Sequence, residues 1–241
     1  MIFYVAFDDT DTLDCGRGTG KLARWFANEL PAECKQLMVV RQQLLHAPEI
    51  PMTSHNSSLC CVIETPDATY DQELIKRGIA HLKNHFFEGS DPGFCVAKQT
   101  DNLDSIIDFG IRCTHAKTSQ KEALNLAKHI HLSGHGGTND GIIGALAAVG
   151  LTHYGESGRI VDYADLRELP QWITAKDLRQ RNIYPMSVNR HAEFIPDKHS
   201  IDTLGSLRPH LWGKRLTVPL MATGTNTWQV IAEKKNYDNP Q

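Results

Sequence analysis

Several features are scarce in this sequence, and each absence excludes a class of function. Its six cysteines, at 15, 34, 60, 61, 95 and 113, form no CxxC pair, which argues against a zinc ribbon and for free thiols in a reducing compartment. Nowhere do about 18 apolar residues run together, so no segment reads as a membrane-spanning helix. The opening MIFYVAFDD is too short an apolar run for a signal peptide. The expectation is a cytoplasmic protein with no membrane partner and no zinc. Positive charge is also short, since 25 Lys/Arg against 28 Asp/Glu leave a net charge of −3 and a pI near 6.4. That removes the broad positive field of sequence-blind nucleic-acid binding. The deficit is uneven: from Gln171 onward 10 Lys/Arg face 6 Asp/Glu, so the last 71 residues carry +4 and the first 170 carry −7. Such a split suits either a later part that meets something anionic or a solvated surface. Internal repeats and low-complexity segments are missing too.

What is present is enough for a sizeable core, because 241 residues at 41% apolar correspond to one or two domains. Ile2 to Phe7 is a continuous apolar run that reads as a buried strand. Leu22, Phe26 and Leu30 then repeat at helical spacing until Pro31 closes the helix. Further strands are expected at 36–45, 59–65 and 94–98, and a helix along Ile75, Ile79, Leu82 and Phe86. Ser119 with Glu122 carries a capping-box signature, and the helix behind it is expected to run to Gly134. GHGGTNDG (134–141) leads into a small-residue helix, IIGALAAVG. Thr174 with Asp177 starts another helix, and two late strands are expected at 216–222 and 228–232. The fold class is α/β (α+β), with a first part over 1–150 and a smaller part over 151–241.

The stretch FDDTDTLDCGRGTGKLA (7–23) concentrates the chemistry. Carboxylates at the carboxyl end of a buried strand, before a glycine-containing turn and a helix N-terminus, lie where open α/β sheets bind ligands. Helix N-H groups attract phosphate, whereas Asp8, Asp9 and Asp11 repel it unless a divalent cation intervenes. Mg²⁺ resolves that conflict, taking one or two carboxylates and filling its other positions with water and phosphate oxygens. Isolated aspartates and threonines often only cap helices and shape turns, but three carboxylates within four positions are costly to pack together unpaired.

Gly16-Arg17-Gly18-Thr19-Gly20-Lys21-Leu22 is one residue short of a P-loop, and Leu22 stands where the Mg²⁺-holding Ser/Thr belongs. The physics partly survives: Gly18 and Gly20 leave backbone N-H groups open to phosphate, and Lys21 is placed to neutralise it or to face solvent. Asp9-Thr10-Asp11 with Gly136 to Asp140 (GGTND) also has some likeness to the haloacid-dehalogenase phosphotransferases. There Asp9 would be the nucleophile, and Asn139 and Asp140 would stand near the metal.

A broader resemblance covers about the first 165 residues. FDDTD (7–11), Thr19 opening the helix, IPMTSHNSS (50–58), the Asp91-Pro92-Gly93 turn, GIIGALAAVG (141–150) and RIVDY (159–163) together resemble the isoleucine tRNA agmatinylcytidine synthetase family, TiaS. The resemblance implies an unusual kinase-like domain that splits ATP and phosphorylates a cytidine carbonyl, after which agmatine displaces the phosphate. A ferredoxin-like domain that helps to bind the amine would follow. It further implies that Asp8, Asp9 and Asp11 hold Mg²⁺ and ATP phosphates, with Thr10 in the same motif. Thr19 matches a threonine that becomes phosphorylated, and Thr53 and Asn56 match polar positions that contact nucleotide. Phosphoryl transfer asks chiefly for positioning and charge neutralisation, which such a set supplies. The sequence departs from the family pattern at Met52 (Lys), His55 (Gly) and Asn139-Asp140 (Gly-Arg). The 241 residues contain no oligonucleotide-binding fold or Cys₄ ribbon, so a small-molecule acceptor is expected on equal terms with RNA, with an amine as a candidate co-substrate.

Of the clustered histidines, His129 and His131 are expected two apart on a helix, facing different ways, which leaves His135 as the site candidate. Trp212 and Trp228 flank Lys214 and Arg215 and are expected to fill a core rather than stack on a base. The expected reading is a Mg²⁺-dependent, ATP-using enzyme in which Asp11, Thr19 and Lys21 do the chemistry. A haloacid-dehalogenase-type phosphatase and a nucleotide-binding module without turnover are the alternatives.

Overall fold

The structure is a computed structural model that describes residues 1–50, 52 and 55–231. It is a mixed α+β fold that divides into two compact units, Met1–Ala164 with Leu211–Lys214, and Asp165–His210 with the residues from Arg215 onward. The expected boundary at residue 150 falls inside a helix, and the division comes at Ala164.

In the first unit the chain runs β1 (Ile2–Asp8), α1 (Thr19–Trp25), β2 (Lys35–Gln43), β3 (Ser57–Glu64), α2 (Asp71–His85), β4 (Gly93–Lys98), α3 (Asp104–Cys113), α4 (Gln120–Leu126), β5 (His131–Gly134), α5 (Gly141–Tyr154) and β6 (Arg159–Asp162). The strands lie in the order β5-β4-β1-β3-β2-β6, every neighbouring pair antiparallel. β1 is central and buried from Phe3 onward, which explains its unbroken apolar run: both faces of the strand are covered. Phe3, Val5 and Phe7 join Leu22 and Phe26 beside α1 and Leu74 and Leu82 of α2 in one core. On the other face the Tyr4 hydroxyl meets His153 of α5 at 3.3 Å, and Gln42 donates to the Thr152 hydroxyl at 3.2 Å. α5 buries eleven of its residues and is apolar all round, as a helix inside a core must be.

Two elements differ from the sequence expectation. The helix after Ser119 ends at Leu126 rather than Gly134, and residues 131–134 form β5, an edge strand on β4. His131 and Ser133 therefore follow strand periodicity. The helix α3 had no counterpart in the sequence reading; its stripe Ile106, Phe109, Gly110 and Cys113 packs inward.

The second unit holds β7 (Trp172–Thr174), α6 (Ala175–Gln180), β8 (Ile183–Ser187), β9 (Ser200–Asp202), β11 (Arg215–Gly224) and β12 (Thr227–Val230), while β10 (His210–Trp212) leads the chain back to the first unit. Its strands are ordered β8-β11-β12-β9-β7. Thr174 and Asp177 form the reciprocal capping box that opens α6. A ferredoxin-like βαββαβ path has two helices; among the described residues this unit has one. Trp228 is buried, with its indole N-H donating to His199 at 3.0 Å. The last expected strand, 228–232, ends one residue beyond the described part. No helix among the described residues is long and apolar enough to cross a membrane.

Candidate active site

Antiparallel register assembles the site. Asp8, the last residue of β1, pairs with Gly93 at the start of β4. A Cβ on Gly93 would lie 2.0 Å from the carbonyl of Gly141, so the start of β4 and the start of α5 touch backbone to backbone. The Gly141 N-H donates to the Asp91 carbonyl at 3.0 Å. Three aspartates far apart in sequence, Asp8, Asp91 and Asp140, are thereby brought to one rim, and Asp9 and Asp11 join them from the loop after β1.

That rim borders a cavity of about 470 Å³ lying wholly within the first unit, within the size range of small-molecule sites. Asp8, Asp9, Asp11, Thr19, Asp91 and Asp140 line one part of it, and Leu44, Leu45, Ile50, Met52, Ile143 and Gly144 give it an apolar part. His55, Asn56 and Ser57 come from the loop before β3, and Lys117 to Gln120 from the loop between α3 and α4. Among the described lining residues Lys117 is the one Lys or Arg, against five aspartates and Glu49.

The imbalance is written into the carboxyls. Burial pushes Asp8 well above the usual carboxylate range, and the neighbouring Asp9 and Asp11 add to it. Burial, then Asp91, Asp11 and Asp140, push Asp9 up to about 6. Asp9 also holds a positive φ of 47°, a conformation that Asp tolerates better than most residues and that concentrates at functional positions. Asp11 reaches over to the start of α1, where its Oδ1 accepts from the Thr19 N-H at 2.9 Å and from the Thr19 hydroxyl at 2.7 Å. The Thr10 hydroxyl donates to Thr19 Oγ1 at 3.1 Å from a fully buried position. Thr19 is thus held at the cavity wall by two residues of the acidic loop.

Of the expected site residues, Asp8, Asp9, Asp11, Thr19, Asn56 and Asp140 line the cavity. Thr10 lies behind it. Asn56 uses its amide N-H to hold the Leu45 carbonyl at 2.8 Å, so it shapes the loop as well as facing the cavity. Thr53 lies outside the described residues. Several others are placed elsewhere. Lys21 projects from α1 with its ammonium 5.1 Å from the Trp25 ring centre; two residues beyond Thr19, and so rotated by about 200° around the helix, its side chain follows a different face. Gly18 and Gly20 do not border the cavity, although a Cβ on Gly18 would be 3.7 Å from Asp11. His135 joins a chain of hydrogen bonds through Ser133 to His131, at 2.8 and 2.9 Å, outside the cavity lining. Asn139 packs its amide against Gly134. The GGTND stretch therefore brings Asp140 to the acids, while Asn139 turns to Gly134.

Sequence reasoning missed Asp91 and Lys117 as site residues. Asp91 stood in a recognised turn, and only the β4–α5 contact turns it toward Asp8. Lys117-Thr118-Ser119 precede a helix whose cap was recognised, but nothing local points that loop to a cavity.

No family model matches the chain, and no curated protein does. Solved structures do. The TiaS-tRNA(Ile2)-ATP complex is 25% identical with a TM-score of 0.53 over 62% of this chain and 36% of that one. Over that stretch this chain is similar in fold to TiaS. A tRNA fluorescent labelling enzyme matches at 25% identity, TM-score 0.50, with the same coverage. The TiaS complex with tRNA(Ile2), AMPCPP and agmatine matches at 22% identity, TM-score 0.52, over 75% of this chain and 44% of that one, a likeness of fold alone. The chain thus spans well under half the length of the TiaS structures it matches.

Proposed function

We propose that the chain is a Mg²⁺-dependent, ATP-using phosphotransferase of TiaS-like chemistry, with its nucleotide site in the first unit and acceptor contacts in the second. The observation that carries this reading is the Asp11 clamp on Thr19 at the wall of a cavity rimmed by five aspartates. Such a rim repels a nucleotide triphosphate on its own. Clustered carboxylates, all hard oxygen donors, fit a magnesium ion, with Asp8, Asp9 and Asp11 as its holders and Asp91 and Asp140 close by. When bound, the ion would neutralise phosphate charge and polarise phosphoryl oxygens. The chain's own residues then have definite tasks. Asp11 and Thr10 fix the Thr19 hydroxyl at a set position, Lys117 brings a positive charge to the cavity from the loop between α3 and α4, and Leu44, Leu45 and Ile143 offer an apolar wall to a base. Phosphoryl transfer depends mainly on such positioning and charge neutralisation.

The acceptor is proposed to be RNA or a small molecule, with an amine as co-substrate. This rests on the family likeness and on the TiaS complexes with tRNA, nucleotide and agmatine. A cytoplasmic location accords with such an acceptor. The test is incubation of the purified chain with Mg²⁺ and labelled ATP, separating AMP, ADP and phosphate, with Asp11→Asn beside it. AMP or ADP formed by the wild type and lost in the variant is the expected result. ATP binding without any product would overturn catalysis in favour of a binding module. Hydrolysis of a generic phosphate ester without nucleotide turnover would overturn the ATP chemistry altogether.

A further inference from the structure

We propose that Glu29, His81 and His85 form a zinc-type transition-metal site, separate from the acidic cavity, that ties the exit of α1 to α2. Their ligand atoms lie within 4.8 Å of one another, and none of the three residues lines the cavity. His81 and His85 are four apart on α2 and so share a face, with ring centres 4.6 Å apart. Glu29 closes the short 3-10 turn, Phe26–Glu29, that follows α1.

His81 carries the argument. Its side chain is fully buried against Phe7 and Phe26. Its Nε2 lies 2.9 Å from the Leu22 carbonyl, an acceptor only, so Nε2 must carry the proton and Nδ1 is left with a lone pair. That Nδ1 has no hydrogen-bond partner and points toward Glu29 Oε1 at 4.0 Å. A buried acceptor without a partner is unfavourable and calls for an explanation. A histidine whose other ring N-H is anchored on a backbone carbonyl is the arrangement metal-binding histidines commonly adopt. Two imidazoles and one carboxylate with an open fourth position are a recognised zinc ligand set.

The spacing needs only a modest adjustment. Zn-N bonds of about 2.0–2.1 Å in a tetrahedron put ligand atoms about 3.4 Å apart. Glu29 is half exposed and His85 partly exposed, so both can close on the fixed His81. Arg17 is the opposing charge, since its guanidinium donates to the His85 carbonyl and covers the Phe87 ring at 4.4 Å; the Glu29 carboxylate offsets it. Because α1 begins at Thr19, a metal at its far end would steady the helix that presents that hydroxyl.

The test is calorimetric titration of the chelator-treated full chain with Zn²⁺, in excess Mg²⁺ so that the acidic cavity is not the reporter. Visible spectra of the Co²⁺ form are recorded alongside. The wild type is expected to take up one equivalent at micromolar concentration or tighter, with an intense tetrahedral Co²⁺ band lacking thiolate charge transfer. Glu29→Gln and His85→Gln, both checked for native circular dichroism, are each expected to weaken uptake about tenfold or more and to lose the Co²⁺ band. Unchanged binding in both variants, a thiolate band, or uptake only at millimolar Zn²⁺ would each overturn the proposal. Use of these two partly exposed positions avoids relying on a His81 variant that fails to fold.

Discussion

The aspartates around the first unit's cavity and those of the second unit are the same side chain under opposite conditions. In the second unit each aspartate among the described residues has partners. The Arg181 guanidinium beside Asp165 holds that carboxyl below its ordinary value. Hydrogen bonds from the Thr174 hydroxyl and N-H lower Asp177, and the Leu204 N-H, with Gln171 and Gln229, lowers Asp202. Around the cavity, burial and then Asp9 and Asp11 raise Asp8, and burial and then Asp91, Asp11 and Asp140 raise Asp9. Folding has satisfied the first set and left the second in conflict. A cluster in conflict persists when function or a ligand repays it, so the difference separates aspartates that hold the fold from those that await a cation.

The largest expected effect comes from the member of the cavity set that holds Thr19. Asp11 is both cavity acid and clamp, and Asp11→Ala removes both hydrogen bonds to Thr19. Nucleotide turnover should fall by about 10²-fold, the cost of misplacing a reacting or positioning group by roughly an ångström, in a steady-state assay under saturating Mg²⁺. A variant within a few-fold of wild type would show that the clamp is only a turn-shaping contact.

Next in size is a change that leaves every carboxylate in place. A Cβ on Gly144 would lie 1.8 Å from Asp8 Oδ2, and what must yield is the tip of a side chain rather than backbone. Gly144→Ala should therefore displace the Asp8 carboxyl, weakening Mg²⁺ affinity by about tenfold, the scale of losing an orienting contact to a ligand. Thermal stability should change far less. Isothermal titration and a melting curve on the same sample check the pair of outcomes; unaltered Mg²⁺ binding would remove Asp8 from the metal set.

How much of this was legible in sequence follows the range of the interactions involved. β1, the acidic loop and Thr19 at the start of α1 are local, and a buried run ending in DDTD announces them. The Thr174–Asp177 capping box is equally local. His131 was misassigned because the apolar periodicity of α4 seemed to continue, whereas pairing with β4 decides that segment as a strand. Asp91 and Lys117 reach the cavity through the β4–α5 backbone contact and the loop after α3, and such long-range pairings leave no periodicity to read. Lys21 shows the reverse error: beside the glycines it looked like a phosphate ligand, but one helical turn carries it onto Trp25.

One substitution type, made in both regions, sharpens the contrast. At neutral pH in chelator, Asp177→Asn keeps an acceptor oxygen for Thr174 but removes the charge at the N-terminus of α6 and should cost about 0.3–1 kcal/mol, seen as a lower melting temperature. Asp9→Asn should raise the melting temperature, since it removes a charge that its neighbours oppose, and Asn accepts the positive φ there. A destabilised Asp9→Asn protein would mean that the Asp9 carboxylate is satisfied after all.

The smallest effect is the pH dependence, and its sign is the informative part. Asp9 titrates near 6 in the folded chain against 3.8 for the ordinary side chain. Between those values the folded state holds more protons than the unfolded one, so this group's contribution to stability falls as pH rises from about 4 to about 6. The lowered acids of the second unit act oppositely, contributing stability above 3.8 that is lost as pH falls through their folded values. Buried His81 and partly buried His131, His135 and His153, all lowered chiefly by desolvation, also favour the folded state as pH rises toward 6.5. A single melting profile mixes these slopes. The difference between Asp9→Asn and wild type keeps only Asp9 and its effect on Asp8: it should be near zero at pH 4 and open progressively to pH 7 in chelator. Added Mg²⁺ should close it at pH 7, because a cation that binds the ionised carboxylate stabilises only the wild type. A difference independent of pH, or one that Mg²⁺ leaves open, would remove Asp9 from the set that awaits a cation.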